Sequence, residues 1–294
     1  MSNATAIIAA EGPVRRTRVA LVDIVRRNRG VFVGLVLVAA LFLVALLSPV
    51  ISPHDPIATA PDTAYQPPLS PGHVLGTDEL GRDQLSRVLW GARVSLPVAF
   101  VAVVVGLVGG GLIGLVSGYA GGLTDLLLMR LVDALLAFPA LILAIALVAA
   151  LGPNLRNAMI AIGIVAVPVY ARLVRAVVLQ LKQMEFVVAT RSLGAPPLRL
   201  VVRHLIPNLL NPILVQVSLS AGFAILAEAT LSFLGLGAQP PTPDWGQMIT
   251  TGRTFLPNDP WLAIVPGAAI SVTVYAFNLL GDSLRDALDP RLRS

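Results

Sequence analysis

Residues Ser95–Ser117 read SLPVAFVAVVVGLVGGGLIGLVS, a run without a single charged side chain. A helix crosses the hydrocarbon core of a bilayer with about 20 apolar residues, whereas a helix buried in a soluble core is usually shorter. Five further segments have the same character: about 30–51, 126–151, 157–179, 208–236 and 262–281. Composition agrees with this reading. The 294-residue chain is 56% hydrophobic and 13% charged, with a mean hydropathy of +0.82. A soluble domain carries about 25% charged residues. The expectation is an all-α integral membrane protein with six transmembrane helices. The first apolar run is longer than a signal-peptide core and has no A-x-A site near its end, so it reads as a retained anchor. With no cysteine, disulfides are excluded.

Charge placement sets the expected orientation. Residues 1–29 form a basic tail containing Arg15, Arg16, Arg18, Arg26, Arg27 and Arg29. Arg172, Arg175, Lys182, Arg191, Arg199 and Arg203 surround the link between the fourth and fifth spans, and Arg285, Arg291 and Arg293 lie at the C-terminal end. Six spans put these three regions on one side, which the positive-inside rule makes cytoplasmic, both termini included. The chain then divides into a tail (1–29), a first span with an external segment (30–94), a five-helix core (95–281) and a second tail (282–294). The net charge of +5 does not point to nucleic acid. The arginines cluster between apolar runs, without interleaved aromatic residues.

Little in the sequence suggests chemistry. Gly109, Gly111 and Gly114 spell a dinucleotide fingerprint, but they lie inside an apolar span, where no loop could meet a phosphate. Gly110, Gly114 and Gly118 read instead as a ridge for close helix packing. No phosphate-binding G-x-x-x-x-G-K-[ST] occurs. His54, His73 and His204 are far apart in sequence, two outside and one inside, so no shared metal site is expected. In the outer stretch from Gly76, Thr77 can cap a helix with Asp78 and Glu79 in its first turn. Asp78–Arg82 and Asp83–Arg87 would then pair at i,i+4 around Gly81. This stretch is either a surface helix or a docking surface for an external partner. In the inner stretch, a short helix over 184–193 ends at Gly194, and Pro196–Pro197 stop its continuation. A second short element leads to Pro207. Glu228 is the one acidic residue well inside a span, so it is expected to face protein or a water-filled path. Asp133 is expected to pair locally, with Arg130 its candidate partner.

These segments together resemble a known family. The inner stretch is similar to the EAA motif of binding-protein-dependent permeases, EAA-x3-G-x9-I-x-L-P. Aligned on Gly194 and Pro207, Val188, Ala189 and Thr190 fall at E-A-A, His204 at the isoleucine and Ile206 at the leucine. Val188 and Thr190 depart from the motif, and Glu185 stands about one turn before the position of the missing glutamate; Glu185 or Arg191 is the candidate substitute. LGTDELGRDQLSRVLWGARVSL from Leu75 resembles the dipeptide/oligopeptide/nickel permease subfamily of the DppC/OppC type. So do AEATLSFLGLG from Ala227, the PPTPDWGQMI that follows it, and NLLGDSLRDALDPRLR from Asn278.

The resemblance implies a MetI-like permease fold with one extra N-terminal helix, in a bacterial inner membrane. It implies a homologous permease as partner and two cytoplasmic ATPases, which carry ATP and magnesium and grip the 184–207 loop. It also implies an external solute-binding protein. No cofactor, metal or nucleic acid is expected on this chain. Di- and oligopeptides are the implied cargo, with nickel or another small solute as the alternative. An ATP-independent transporter or channel is the reading of a different class, but a single intramembrane glutamate without a cation is thin support for it.

Overall fold

The computed structural model describes residue 25 and residues 28–288. The expected tail arginines Arg15, Arg16, Arg18, Arg26, Arg27, Arg291 and Arg293 lie outside the described residues. Within them the chain is helical, and its only β-type pairings are two isolated bridges. The elements are α1 (Arg29–Ile51), α2 (Gln84–Ala120), α3 (Gly122–Leu136), α4 (Ala140–Leu151), α5 (Leu155–Lys182), α6 (Glu185–Ser192), α7 (Pro197–Leu200), α8 (Ile206–Phe233), α9 (Trp245–Thr254) and α10 (Trp261–Leu288). A π turn, Val201–Leu205, joins α7 to α8.

α1, α2, α5, α8 with its lead-in, and α10 are each long and apolar enough to span a membrane. The single helix expected over 126–151 is instead two, bent by 89° between α3 and α4. Pro139 causes the break: it lacks an N–H, and it disfavours helical conformation in the residue before it, Phe138.

Packing shows that the bent pair still crosses. The glycine ridge of α2 lies on α5, with Gly106 against Ala166 and Tyr170, Gly110 against Val167 and Tyr170, Gly114 against Ala171 and Val174, and Gly118 against Val178. The two sets of numbers rise together, so α2 and α5 run parallel. Parallel spans require the chain between them to return across the bundle, and α3–α4 makes that return. Gly30 and Gly34 of α1 pack on Ser283 and Leu280 of α10, while Gly222 and Gly281 fit α8 and α10 together in antiparallel order.

One end of the bundle therefore gathers Arg29, Arg175, Lys182, Arg199, Arg203 and Arg285. Lys182 closes this end by donating to the carbonyls of Gly118 (3.0 Å) and Tyr119 (2.8 Å) in the last turn of α2. Large apolar side chains such as Phe100, Leu112, Leu127, Phe223 and Val272 are exposed around the bundle, as they are on a lipid-facing surface.

Candidate functional site

At the Arg-rich end, α6 ends in a Schellman cap. Gly194 has φ +77, the left-handed region that glycine enters without strain. Its N–H donates to the Arg191 carbonyl (3.0 Å), and the Ala195 N–H donates to that of Thr190 (3.3 Å). Pro196 and Pro197 then redirect the chain into α7. The π turn precedes Pro207, whose ring cannot donate and would crowd the carbonyl four residues earlier. The Ile206 N–H reaches back to the Val201 carbonyl. The expected helix, glycine stop and second element are thus all present, with α6 starting at Glu185.

Val187 and Leu200 are buried and anchor the loop to the bundle. Val188 (50% exposed), Leu193 (88%) and Leu198 (74%) are uncovered. Glu185, Ala189, Arg191 and Ile206 are also exposed, whereas the Thr190 hydroxyl is turned back to the Phe186 carbonyl (2.6 Å).

At the opposite end, the segment from Gly76 departs from expectation. Thr77 does not cap a helix: α2 begins at Gln84, and its cap is Asp83, whose Oδ2 accepts from the Ser86 N–H (2.8 Å). The Thr77 hydroxyl instead donates to the Thr63 carbonyl and accepts from the Gln66 N–H (2.9 Å). Residues 77–82 form a tight turn. Asp78 Oδ1 accepts from the N–H groups of Leu80 and Arg82, and Gly81 has φ +74 against the Ala60 carbonyl. Gly76, with φ +75, likewise passes close to the Gln66 carbonyl.

Of the two expected ion pairs, Asp78–Arg82 forms (2.7 Å), on this turn and not on a helix. Asp83–Arg87 does not form. Arg87 joins Asp78 (3.3 Å) and the Pro56 carbonyl (3.0 Å) instead. Asp78, Arg82, Asp83 and Arg87 are all 1–8% exposed, so they fold the segment from within. Burial raises the Glu79 carboxyl above its ordinary range, with Asp78 adding to the effect against the pull of Arg82. Burial would also raise Asp83, but hydrogen bonds from His73 and Ser86 outweigh it and hold this carboxyl low.

Sequence separation argued against any shared histidine site, yet His54 and His73 stack with ring centroids 4.7 Å apart, beside Asp83. His204 lies elsewhere, tilted against Phe186. Nothing in the spacing of His54, His73 and Asp83 signals their meeting, because loop closure brings them together.

Glu228 faces protein, as expected. It is 1% exposed, and Oε1 accepts from the Ser232 hydroxyl (3.0 Å). Ser95 of α2 and Asp244, the cap of α9, border it. Asp244 did not stand out by charge, though Asp244 followed by Gln247 at N3 has the form of a capping box. The PPTPDWGQMI block pins α9 to α2: Trp245 Nε1 donates to the Val88 carbonyl (2.9 Å), and its ring fills the space above Gly91. Asp133 pairs with Arg172 of α5 (2.7 Å) and not with Arg130. Asp125 receives both Arg175 Nε and Nη2 (2.6 Å each), and the Ser117 hydroxyl as well.

Residues 110–294 match the family described as binding-protein-dependent transport system inner membrane component. Residues 23–68 match the N-terminal TM domain of oligopeptide transport permease C. The chain is 45% identical over 269 residues to the dipeptide transport system permease protein DppC of Alkalihalophilus pseudofirmus, across 92% of this chain and 88% of that protein. It is 45% identical over 272 residues to the di/tripeptide transport system permease protein DppC of Pseudomonas aeruginosa, across 91% and 90%. In fold it is similar to a chain of the inward-facing MetNI methionine ABC transporter, with a TM-score of 0.56 and 18% identity, over 70% of this chain and 98% of that one. The chain therefore belongs to the family of binding-protein-dependent transport system inner membrane components.

Proposed function

We propose that this chain is one of two homologous permease subunits of an ATP-driven importer of di- and oligopeptides in the bacterial inner membrane. The observation that carries the reading is the α6–α7 loop, where Val188, Leu193 and Leu198 stand uncovered at the Arg-rich end. Large apolar side chains left uncovered on one short loop beyond the membrane mark a surface for a partner. The positive-inside rule puts that end in the cytoplasm, with both termini. The chain has no phosphate loop, so ATP and magnesium belong to two cytoplasmic ATPases that dock on this loop. The external segment, with Leu69 and Val74 uncovered, receives the solute-binding protein that delivers cargo. Peptide is the cargo because the full-length relatives are named for dipeptide and di/tripeptide transport.

The test is Gly194→Val in reconstituted importer complexes. A β-branched side chain in the left-handed region costs about 1–2 kcal/mol and misdirects α7. The subunit should still insert, while ATPase binding weakens or hydrolysis separates from uptake of labelled dipeptide. Wild-type ATPase stimulation and uptake in Gly194→Val, Glu185→Ala and Arg191→Ala together would make this loop a mere connection.

A further inference from the structure

His54 lies just beyond α1, His73 in a turn of the external segment, and Asp83 at the cap of α2. Their donor atoms lie within 4.8 Å of one another. His73 Nδ1 is 2.9 Å from Asp83 Oδ1, and His54 Nδ1 is 3.7 Å from the same oxygen. The first distance is a hydrogen bond; the second is too long for one. A carboxylate anchor needs only His73, so the second ring aimed at the same oxygen is unexplained by hydrogen bonding. The surroundings also fix the carboxylate. Asp83 Oδ2 accepts from the Ser86 N–H (2.8 Å) and the Ser86 hydroxyl (2.7 Å), which leaves Oδ1 to the two rings. The same hydroxyl accepts the His54 backbone N–H (3.1 Å), so one serine positions two of the three groups.

We propose that His54, His73 and Asp83 form a binding site for a divalent transition-metal ion of the zinc class. Two imidazoles and one carboxylate are a donor set suited to zinc and its neighbours, and three protein ligands leave a fourth position for water. With metal–ligand distances of about 2.0–2.2 Å, ligands around a tetrahedral ion stand roughly 3.4 Å apart. The two histidine–carboxylate distances are within about half an ångström of that value, and the two imidazole donors, within 4.8 Å of each other, close on the ion by turning the exposed His54 ring. Binding displaces the proton between His73 and Asp83 and leaves Asp83 Oδ2 on Ser86. The ion has a route in: the His54 side chain is 42% exposed. It lines a cleft of about 720 Å³ with Asp55, Trp90 and Arg93. The ion ties the end of α1 to the start of α2 and holds the external segment between them.

The full-length chain, purified with a tag that contains no histidine and stripped with chelator, is titrated with Co²⁺ and then Zn²⁺. Wild type should retain one equivalent of Co²⁺, give a visible d–d absorption band that Zn²⁺ abolishes, and melt at a higher temperature with metal. His54→Ala keeps the His73–Asp83 bond, so its metal-free melting temperature should fall only by the lost ring stack, while the equivalent and the metal-induced rise are both lost. His73→Gln should lose the equivalent as well, and His204→Ala should keep it. Ser86→Ala, which removes the outer-shell hydroxyl, should weaken binding roughly 10–100-fold. Failure of wild type to retain an equivalent, or wild-type retention by His54→Ala, overturns the proposal.

Discussion

A β-carbon at Gly110 would stand 2.3 Å from the Val167 carbonyl oxygen and 2.7 Å from Tyr170 Cβ, while one at Gly111 would meet nothing nearer than 3.8 Å. Neighbours in sequence should therefore respond oppositely. Gly110→Ala should destabilise the solubilised chain by about 1–3 kcal/mol, and Gly111→Ala should leave its melting temperature near wild type. Glu228 gives a second contrast. Glu228→Gln can still accept from Ser232, whereas Glu228→Leu leaves that buried hydroxyl without its acceptor, at a cost of about 1–3 kcal/mol read as folded yield in membranes. Wild-type yield for Glu228→Leu would mean that the buried carboxyl holds nothing. The ridge was legible because small residues every fourth position in an apolar helix must share one face. The cap of α2 was not. Thr77 is a sound local cap signal, but its hydroxyl is taken by Thr63 and Gln66 while Gly81 packs on Ala60, contacts outside the local window that leave the cap to Asp83.

Helix pairs are held at their ends by a few charges. Asp125 on α3 receives two nitrogens of Arg175 on α5, which a lysine cannot match with one ammonium group. Arg175→Lys should cost on the order of 1 kcal/mol, and a double-mutant cycle with Asp125→Asn should assign most of that loss to the pair. Additive single effects would show that the two side chains do not act together. Hydropathy marked where each span lies but not which charges face each other. Asp133 finds Arg172 on α5 because the α3–α5 packing puts them together, although Arg130 is its i,i+3 neighbour on α3. Pro139 was visible inside the third apolar run, and its consequence is a bend of 89° and not a gentle kink.

At the scale of the whole molecule, the parallel run of α2 and α5 makes the bent α3–α4 pair the return between them, beside five long apolar helices. A chain without native cysteine tests this cleanly. Ser192→Cys should be labelled only from the cytoplasm, and Ser70→Cys and Thr251→Cys only from outside. Labelling of Ser192→Cys and Thr251→Cys from one side would remove a crossing. The spans were legible because hydropathy needs no tertiary information; the side of the membrane is an expectation from charge asymmetry that this labelling tests. The meeting of His54, His73 and Asp83 was not legible, since it depends on how a long segment between two spans closes. The glycine seam between α2 and α5 has a mechanical consequence. Much of its contact is backbone against backbone and Cβ, with few side-chain rotamers that could be exchanged for others. These two helices form a girder with one way of fitting together. Opening and closing of a passage beside it must then be absorbed where the backbone is already irregular, at the elbow before Pro139 and the loosened turn before Pro207.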